Sequence, residues 1–280
     1  MPFEQRGEIR YFTFASFPSN HVVQAVFTRR GGVSPEPWSG LNVGGTVGDS
    51  QERVAENRRR AFAALQRVPT SVYDVWQVHS AQVVHALAPR PPEKPHLKAD
   101  AILTDRPEVT LFMRFADCVP VLLFDPRQSV VGLVHAGWQG TVKRVAAAAV
   151  RAMEARYGSR PADILAGIGP SIGSHHYPVG QDVIDRVEQA FGPGANALLS
   201  QPNGSGPAGQ DEGTNESSSH QSSTLQFDLW AANRMVLEEA GVEAIEAARL
   251  CTACHPDDWF SHRGEAGRTG RFGALIGLRD

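Results

Sequence analysis

The stretch that most constrains this chain runs from Val130 to Thr141, Val-Val-Gly-Leu-Val-His-Ala-Gly-Trp-Gln-Gly-Thr. Val130 to Val134 is apolar on both faces apart from one glycine, the pattern of a strand covered by protein on both sides. Such a strand belongs to an inner layer. It runs into His135, a turn holding Gly137 and Gly140, and an alanine-rich stretch that predicts a helix from Val142 to about Tyr157. Glycine permits backbone conformations and close approaches that a Cβ would block. A histidine placed between a buried strand and such a turn can present its imidazole to a pocket. It can equally be a core histidine bonded to backbone.

The rest of the chain supplies matching layers. Tyr11–Ser16, Val22–Thr28, Val72–Val78, Gln82–Leu87, Asp100–Asp105, Thr110–Phe115, Val119–Phe124, Ala162–Gly167 and Phe272–Leu278 predict strands. Helices are expected over Gln51 to about Gln66, capped by Asp49 or Ser50, over Gln181–Phe191, and over Leu229–Ala240 with Gly241 closing it. Ala244–Leu250 reads as strand or helix, and Cys251–Arg271 as an irregular charged loop. The mixture predicts an α/β fold, its sheets covered by helices on their outer faces. No repeat or domain boundary interrupts it, so one domain over 1–280 is expected. Residues 200–224 contain almost no apolar side chains and read as a disordered, dispensable surface insertion.

Charge and cysteine usage narrow the function. A formal net charge of -3 gives no global attraction to nucleic acid. No apolar run reaches the ~18 residues of a spanning helix, and no signal peptide is apparent, so a cytoplasmic protein is expected. The three cysteines, Cys118, Cys251 and Cys254, are too few for a disulfide framework.

His79, Cys118 and His135 each lie at or beside a strand terminus in an otherwise apolar context. Imidazole and thiolate are good zinc ligands, and three of them leave a fourth tetrahedral position open. Their separation in sequence rules out a local motif. Cys251-Thr-Ala-Cys-His255 fits a haem-attachment sequence in form, but no secretion signal and no placed axial methionine accompany it. A zinc ribbon would need a second Cys-x-x-Cys pair, and the deaminase signature fails at both ends. Cys251 and Cys254 therefore read as packed structural residues, with a redox role as the alternative. Arg263 and Arg271 sit on the glycine-rich loop before the last strand and could close on an anion.

Taken together, Trp76-Gln-Val-His-Ser80, Asp100-Ala-Ile-Leu-Thr104, Ala116-Asp-Cys-Val-Pro-Val121, His135-Ala-Gly-Trp-Gln-Gly-Thr141, Gly167-Ile-Gly-Pro170 and Thr269-Gly-Arg271 resemble, in that order, the YfiH/laccase-domain family. Its members were formerly called polyphenol oxidases and are now regarded as purine nucleoside phosphorylases. The resemblance runs from about Phe27 to Leu278. It implies a single-domain α/β/β/α layered sandwich of mixed sheets. It also implies zinc on His79, Cys118 and His135, with copper able to enter in vitro and inorganic phosphate as co-substrate. The implied reactions are phosphorolysis of adenosine, inosine and methylthioadenosine, and adenosine deamination, with small-molecule partners and no nucleic acid, membrane or obligate protein partner. Asp117 is a candidate proton carrier or a backbone-capping aspartate. Asn42, Gln77, Arg263 and Arg271 are the candidate substrate contacts. Gln139 stands where the family commonly has arginine, which weakens an anion contact there. A cysteine hydrolase acting on peptidoglycan precursors through Cys118 is the alternative. Laccase chemistry is disfavoured, since a trinuclear copper centre needs many histidines and no His-x-His pair occurs.

Overall fold

The computed structural model describes residues 3–202 and 224–279, so most of the expected 200–224 insertion lies outside the described residues. Two six-stranded mixed sheets face one another. In spatial order the first contains Phe3–Arg6, Ile9–Phe12, Val22–Phe27, Phe272–Leu278, Thr110–Phe115 and Val72–Tyr73. The second contains Ala244–Ala247, Leu165–Ile168, Val119–Asp125, Val130–Ala136, Ala101–Thr104 and Val83–His85. A small third sheet joins Pro178–Val179, Leu225–Phe227 and Leu199–Ser200.

Side-chain alternation divides the second sheet between two cores. Leu103, Val121, Leu123, Val130 and Val134 face outward, onto helices α3 (Val145–Tyr157), α4 (Gln181–Phe191) and α5 (Leu229–Glu239). Ile102, Leu122, Phe124, Val131 and Leu133 face inward, where Phe12, Val26, Leu111, Met113 and Ile276 of the first sheet meet them. The outer face of the first sheet packs Ala25, Phe27 and Leu275 against Ala61 and Phe62 of α1 (Gln51–Ala64). The layers are therefore α/β/β/α. Central strands apolar on both faces are what two flanking layers require.

Several elements differ from their expected bounds. The strand expected over Val72–Val78 stops at Tyr73, because Asp74 is drawn into ion pairs with Arg90 and Arg114 and the chain turns toward the pocket. Ser50, not Asp49, caps α1, accepting from the Arg53 backbone N–H. The helix expected to run unbroken from Val142 begins earlier and breaks: α2 spans Trp138–Val142, and α3 starts afresh after Arg144. Arg144 takes a left-handed conformation (φ 59°), fixed by hydrogen bonds from its guanidinium to Glu239 and to the Ala190 carbonyl. The break lets α2 turn toward the pocket, where Lys143 Nζ donates to the His79 carbonyl at 2.7 Å. Ala244–Ala247 is a strand, parallel to Leu165–Ile168.

The glycine-rich loop between Arg29 and Asp49 is pinned to α1 through Asn57. That buried amide donates to Ser34 Oγ, the Gly40 carbonyl and the Asn42 carbonyl, and accepts from the Val33 N–H. Gly40 has φ +98°, and a Cβ there would stand 1.9 Å from the Arg29 carbonyl oxygen. Only glycine lets the loop fold back this closely.

A candidate metal centre in a basic pocket

His135 ends the central strand with its side chain on the inner side, against the Phe115 ring at 5.4 Å. Its Nδ1 lies 2.9 Å from Asp100 Oδ1, which turns Nε2 toward the pocket. The same carboxylate holds the segment carrying His79. Asp100 accepts from the backbone N–H groups of Val78, His79 and Ser80, and from Ser80 Oγ. Successive N–H groups converge on one anion when a residue among them adopts left-handed backbone. His79 does so, with φ 57°.

Cys118 follows Asp117, another left-handed residue (φ 79°), in the turn between Thr110–Phe115 and Val119–Asp125. The ligand atoms of His79, Cys118 and His135 all lie within 4.8 Å of one another, with Cys118 Sγ 4.0 Å from His79 Nε2. Burial pushes the Cys118 thiol pKa up, but the charge of His135 and hydrogen bonds from both histidines outweigh it and lower it to about 6. Burial pulls His135 down, while the thiolate and Asp100 raise it to about 9. A thiol so readily ionised is suited to bind a metal ion or to attack as a nucleophile.

The surroundings fit a metal. One thiolate and two imidazoles are a soft-to-borderline donor set appropriate to zinc. Room is left for an ion where Gly137 passes: a Cβ there would lie 2.8 Å from Cys118 Sγ and 3.0 Å from His79 Cδ2. Gly137→Ala is therefore expected to displace two of the three ligand side chains and to lower bound metal by about tenfold or more, a loss in the range seen for disturbed ligand supports. Metal analysis of the variant, with circular dichroism as the control for folding, checks this.

The trio lines a pocket of ≈ 530 Å³ together with Gly44, Trp76, Gln77, Arg58, Arg114, His96, His262 and Arg271. Arg58 comes from α1 and Arg114 from an otherwise buried strand. Burial lowers the pKa of Arg58 to about 10 and shifts Arg114 and Arg271 downward as well. At neutral pH the pocket still presents three guanidinium groups. Trp76 is 49% exposed on its wall, an aromatic face left open.

The expected substrate contacts fall in different places. Gln77 and Arg271 line the pocket. Asn42 is fully buried and spent on structure: its Oδ1 accepts from the backbone N–H groups of Gly44 and Arg271, and its Nδ2 donates to Asp49 and the Gly44 carbonyl. Arg263 lies off the lining, its guanidinium donating to the Pro178 carbonyl above the Tyr177 ring. Asp117 accepts from Thr252 Oγ1, Ser261 Oγ and the Arg263 N–H at 2.6–2.7 Å. These contacts suit the capping alternative for Asp117 and leave it committed to holding the C-terminal loop. Arg58, Arg114, His96, His262 and Asp100 were not among the expected site residues. A charge inside an apolar strand (Arg114) and an acid at the head of one (Asp100) are the signals that could have found two of them.

Residues 23–279 match the family described as multi-copper polyphenol oxidoreductase laccase. The chain belongs to this family. A relative from Deinococcus radiodurans, named purine nucleoside phosphorylase, is 38% identical over 261 residues, 93% of this chain and 91% of its own length. The YlmD relative from Bacillus subtilis carries the same name and is 34% identical over 94% of this chain and 90% of its own. Among solved structures, YlmD from Geobacillus stearothermophilus superposes with TM-score 0.86 at 30% identity, over 100% of this chain and 99% of that one. Family membership thus rests on nearly the whole chain. Among the described residues, no helix is long and apolar enough to cross a membrane.

Proposed function

We propose that this family member is a zinc-dependent purine nucleoside phosphorylase. Its substrates are adenosine, inosine and S-methyl-5'-thioadenosine, its co-substrate is inorganic phosphate, and adenosine deaminase activity accompanies the phosphorolysis. It works in the cytoplasm as one catalytic domain on small molecules, without a nucleic-acid or obligate protein partner. The observation that carries the reading is the joining, in one pocket, of the His79–Cys118–His135 trio, three guanidinium groups and an open tryptophan face. The names of the relatives support the same chemistry.

Each part has a physical task. Trp76 offers its ring to the purine, a stacking surface that also excludes water. Arg58 and Arg271 bind phosphate and hold it against the ribose, where attack by a phosphate oxygen at the anomeric carbon breaks the bond to the base. Arg114, its guanidinium nitrogens donating to Gln77, Asp74 and the Val75 carbonyl, holds the wall behind them. The departing purine nitrogen needs a proton. His262 is the lining imidazole free for that transfer, since His96 Nε2 lies 3.0 Å from Asp74. His79, Cys118 and His135 hold the zinc, which supplies Lewis acidity at the pocket floor when bound. Gln77 spans between this floor and Arg114, accepting from the Arg114 N–H and Nε and donating to its carbonyl.

Base release from adenosine is expected to depend on phosphate, and Arg271→Ala to raise the Michaelis constant for phosphate by about 10- to 100-fold, the worth of one charged hydrogen-bonding group. Initial rates with phosphate varied test this; phosphate-independent base release would contradict it. One observation favours a second reading. The Cys118 thiol lies beside the imidazoles of His79 and His135, which lower its pKa, and this arrangement also suits a cysteine-type amide hydrolase acting on peptidoglycan precursors. Polyphenol oxidation by copper is the least favoured reading, since two imidazoles and one thiolate fall short of the histidine-rich set it requires.

A further inference from the structure

A second group of metal-binding side chains lies outside the pocket. His175 and His176, on a short 3-10 turn at Ser174–His176, meet Cys251 and Cys254 from the loop after Ala244–Ala247. All four ligand atoms lie within 4.8 Å of one another. Cys254 Sγ is 3.0 Å from His175 Nε2 and 3.5 Å from His176 Nδ1, and Cys251 Sγ is 3.6 Å from His176 Nδ1. None of these residues touches the pocket, and no step of the proposed chemistry uses them.

We propose that His175, His176, Cys251 and Cys254 form a closed, structural zinc site. The edges of a tetrahedral Cys₂His₂ site follow from Zn–S of about 2.3 Å and Zn–N of about 2.0–2.1 Å, which put sulfur and nitrogen about 3.5 Å apart. The three sulfur–nitrogen separations here bracket that value. Four protein ligands leave no open position, the mark of a structural site and not a catalytic one.

The backbone is built to hold this arrangement. Cys251 pairs with Ser171 in an isolated parallel bridge; the Ser171 N–H donates to the Leu250 carbonyl and the Thr252 N–H to the Ser171 carbonyl. The Gly173 N–H donates to Cys251 Sγ at 3.2 Å, a hydrogen bond that supports a thiolate ligand. Gly173 itself must be small, because a Cβ would stand 2.6 Å from His175 Cε1. Cys251 is buried, whereas Cys254 and both histidines are exposed. The reading of both cysteines as packed side chains thus holds for Cys251 alone. Three exposed polar side chains converging on one point, without a ligand, would expose like donors and acceptors to water for no structural return.

The location assigns the ion a task. Cys251 and Cys254 open the loop that carries His262 and Arg271, and the 169–177 turn is joined to the first centre by the Ile172 N–H donating to the Asp117 carbonyl. A zinc ion here would staple the pocket's C-terminal wall to the turn that supports Cys118.

Metal content of the purified holoprotein, measured by plasma mass spectrometry, separates the two sites without relying on activity. Wild type is expected to hold two zinc ions per chain, Cys254→Ser one, and Cys118→Ser one. Cobalt(II) added to apo Cys118→Ser should give tetrahedral d–d bands with thiolate-to-cobalt charge transfer from two sulfurs, and these should vanish when Cys254→Ser is combined with it. Should Cys118→Ser fail to fold, the fall from two ions to one in Cys254→Ser, at an exposed position, decides alone. Wild type with zinc content unchanged by Cys254→Ser would overturn the site, as would a Cys251–Cys254 disulfide in protein purified anaerobically.

Discussion

Cys118→Ser is expected to lose the pocket's zinc and to reduce nucleoside turnover by more than about 100-fold. Changes to the supports of a metal ligand already cost 10–100-fold, and loss of the ligand itself should exceed that. Serine preserves the size of the side chain but not its chemistry, since a hydroxyl stays protonated where the Cys118 thiol pKa is lowered to about 6. His79→Ala and His135→Ala should behave alike. His135→Ala carries a further cost, because it strips Asp100 of its buried imidazole partner. Metal analysis and initial rates on the same preparations make the check. Zinc retained in full with turnover abolished would move Cys118 from ligand to nucleophile and favour the amide-hydrolase reading.

Asp100→Asn is expected to be nearly as damaging, although Asp100 touches neither metal nor substrate. Its two oxygens accept from five groups: His135 Nδ1 and the His79 N–H on Oδ1, and the Val78 N–H, Ser80 N–H and Ser80 Oγ on Oδ2. An asparagine replaces one oxygen by an NH₂ group and sets donor against donor. Each buried donor left without an acceptor costs about 1–3 kcal/mol. The left-handed backbone at His79, itself costing about 1–3 kcal/mol, then loses the anion that holds it. Zinc affinity should fall by about 10- to 100-fold, and the melting temperature should fall with it. An Asp100→Asn protein with unchanged zinc affinity and melting temperature would show that the carboxylate is not what organises the two histidines.

The difference between these two residues marks how far the sequence could be read. His79, Cys118 and His135 stand out because a histidine or cysteine beside an apolar strand is costly without a partner. The double-faced strands Val119–Asp125 and Val130–Ala136 likewise announce an inner sheet, since a run apolar on both faces must be covered twice. Asp100 sits in an equally exceptional position, at the head of the buried strand Ala101–Thr104, yet its partners lie 20 to 35 residues away. Only the pairing of Ala101–Thr104 with Val130–Ala136 on one side and Val83–His85 on the other brings them together.

The same holds for the pocket's cations. Arg58 looks like a surface residue within the run Arg58-Arg59-Arg60, and only the docking of α1 turns it inward. Arg263 and Arg271 both lie on glycine-rich loop, but Arg263 reaches the Pro178 carbonyl away from the pocket and Arg271, held by the Thr269 and Gly270 carbonyls, lines it. The break at Arg144 is invisible in an alanine-rich stretch with high helix propensity, because its cause is tertiary. His175-His176 and Cys251-x-x-Cys254 are separated by 75 residues or more and meet through the parallel pairing of Leu165–Ile168 with Ala244–Ala247 and the Ser171–Cys251 bridge beyond it.

The most direct test of phosphorolysis at the zinc pocket is identification of the products formed from adenosine, with and without inorganic phosphate, by chromatography of the zinc-loaded protein's reaction. Ribose-1-phosphate should appear only when phosphate is present, in an amount equal to adenine plus hypoxanthine, with inosine and hypoxanthine reporting the accompanying deamination. Failure to form ribose-1-phosphate from adenosine, inosine or methylthioadenosine under any phosphate concentration would contradict the account.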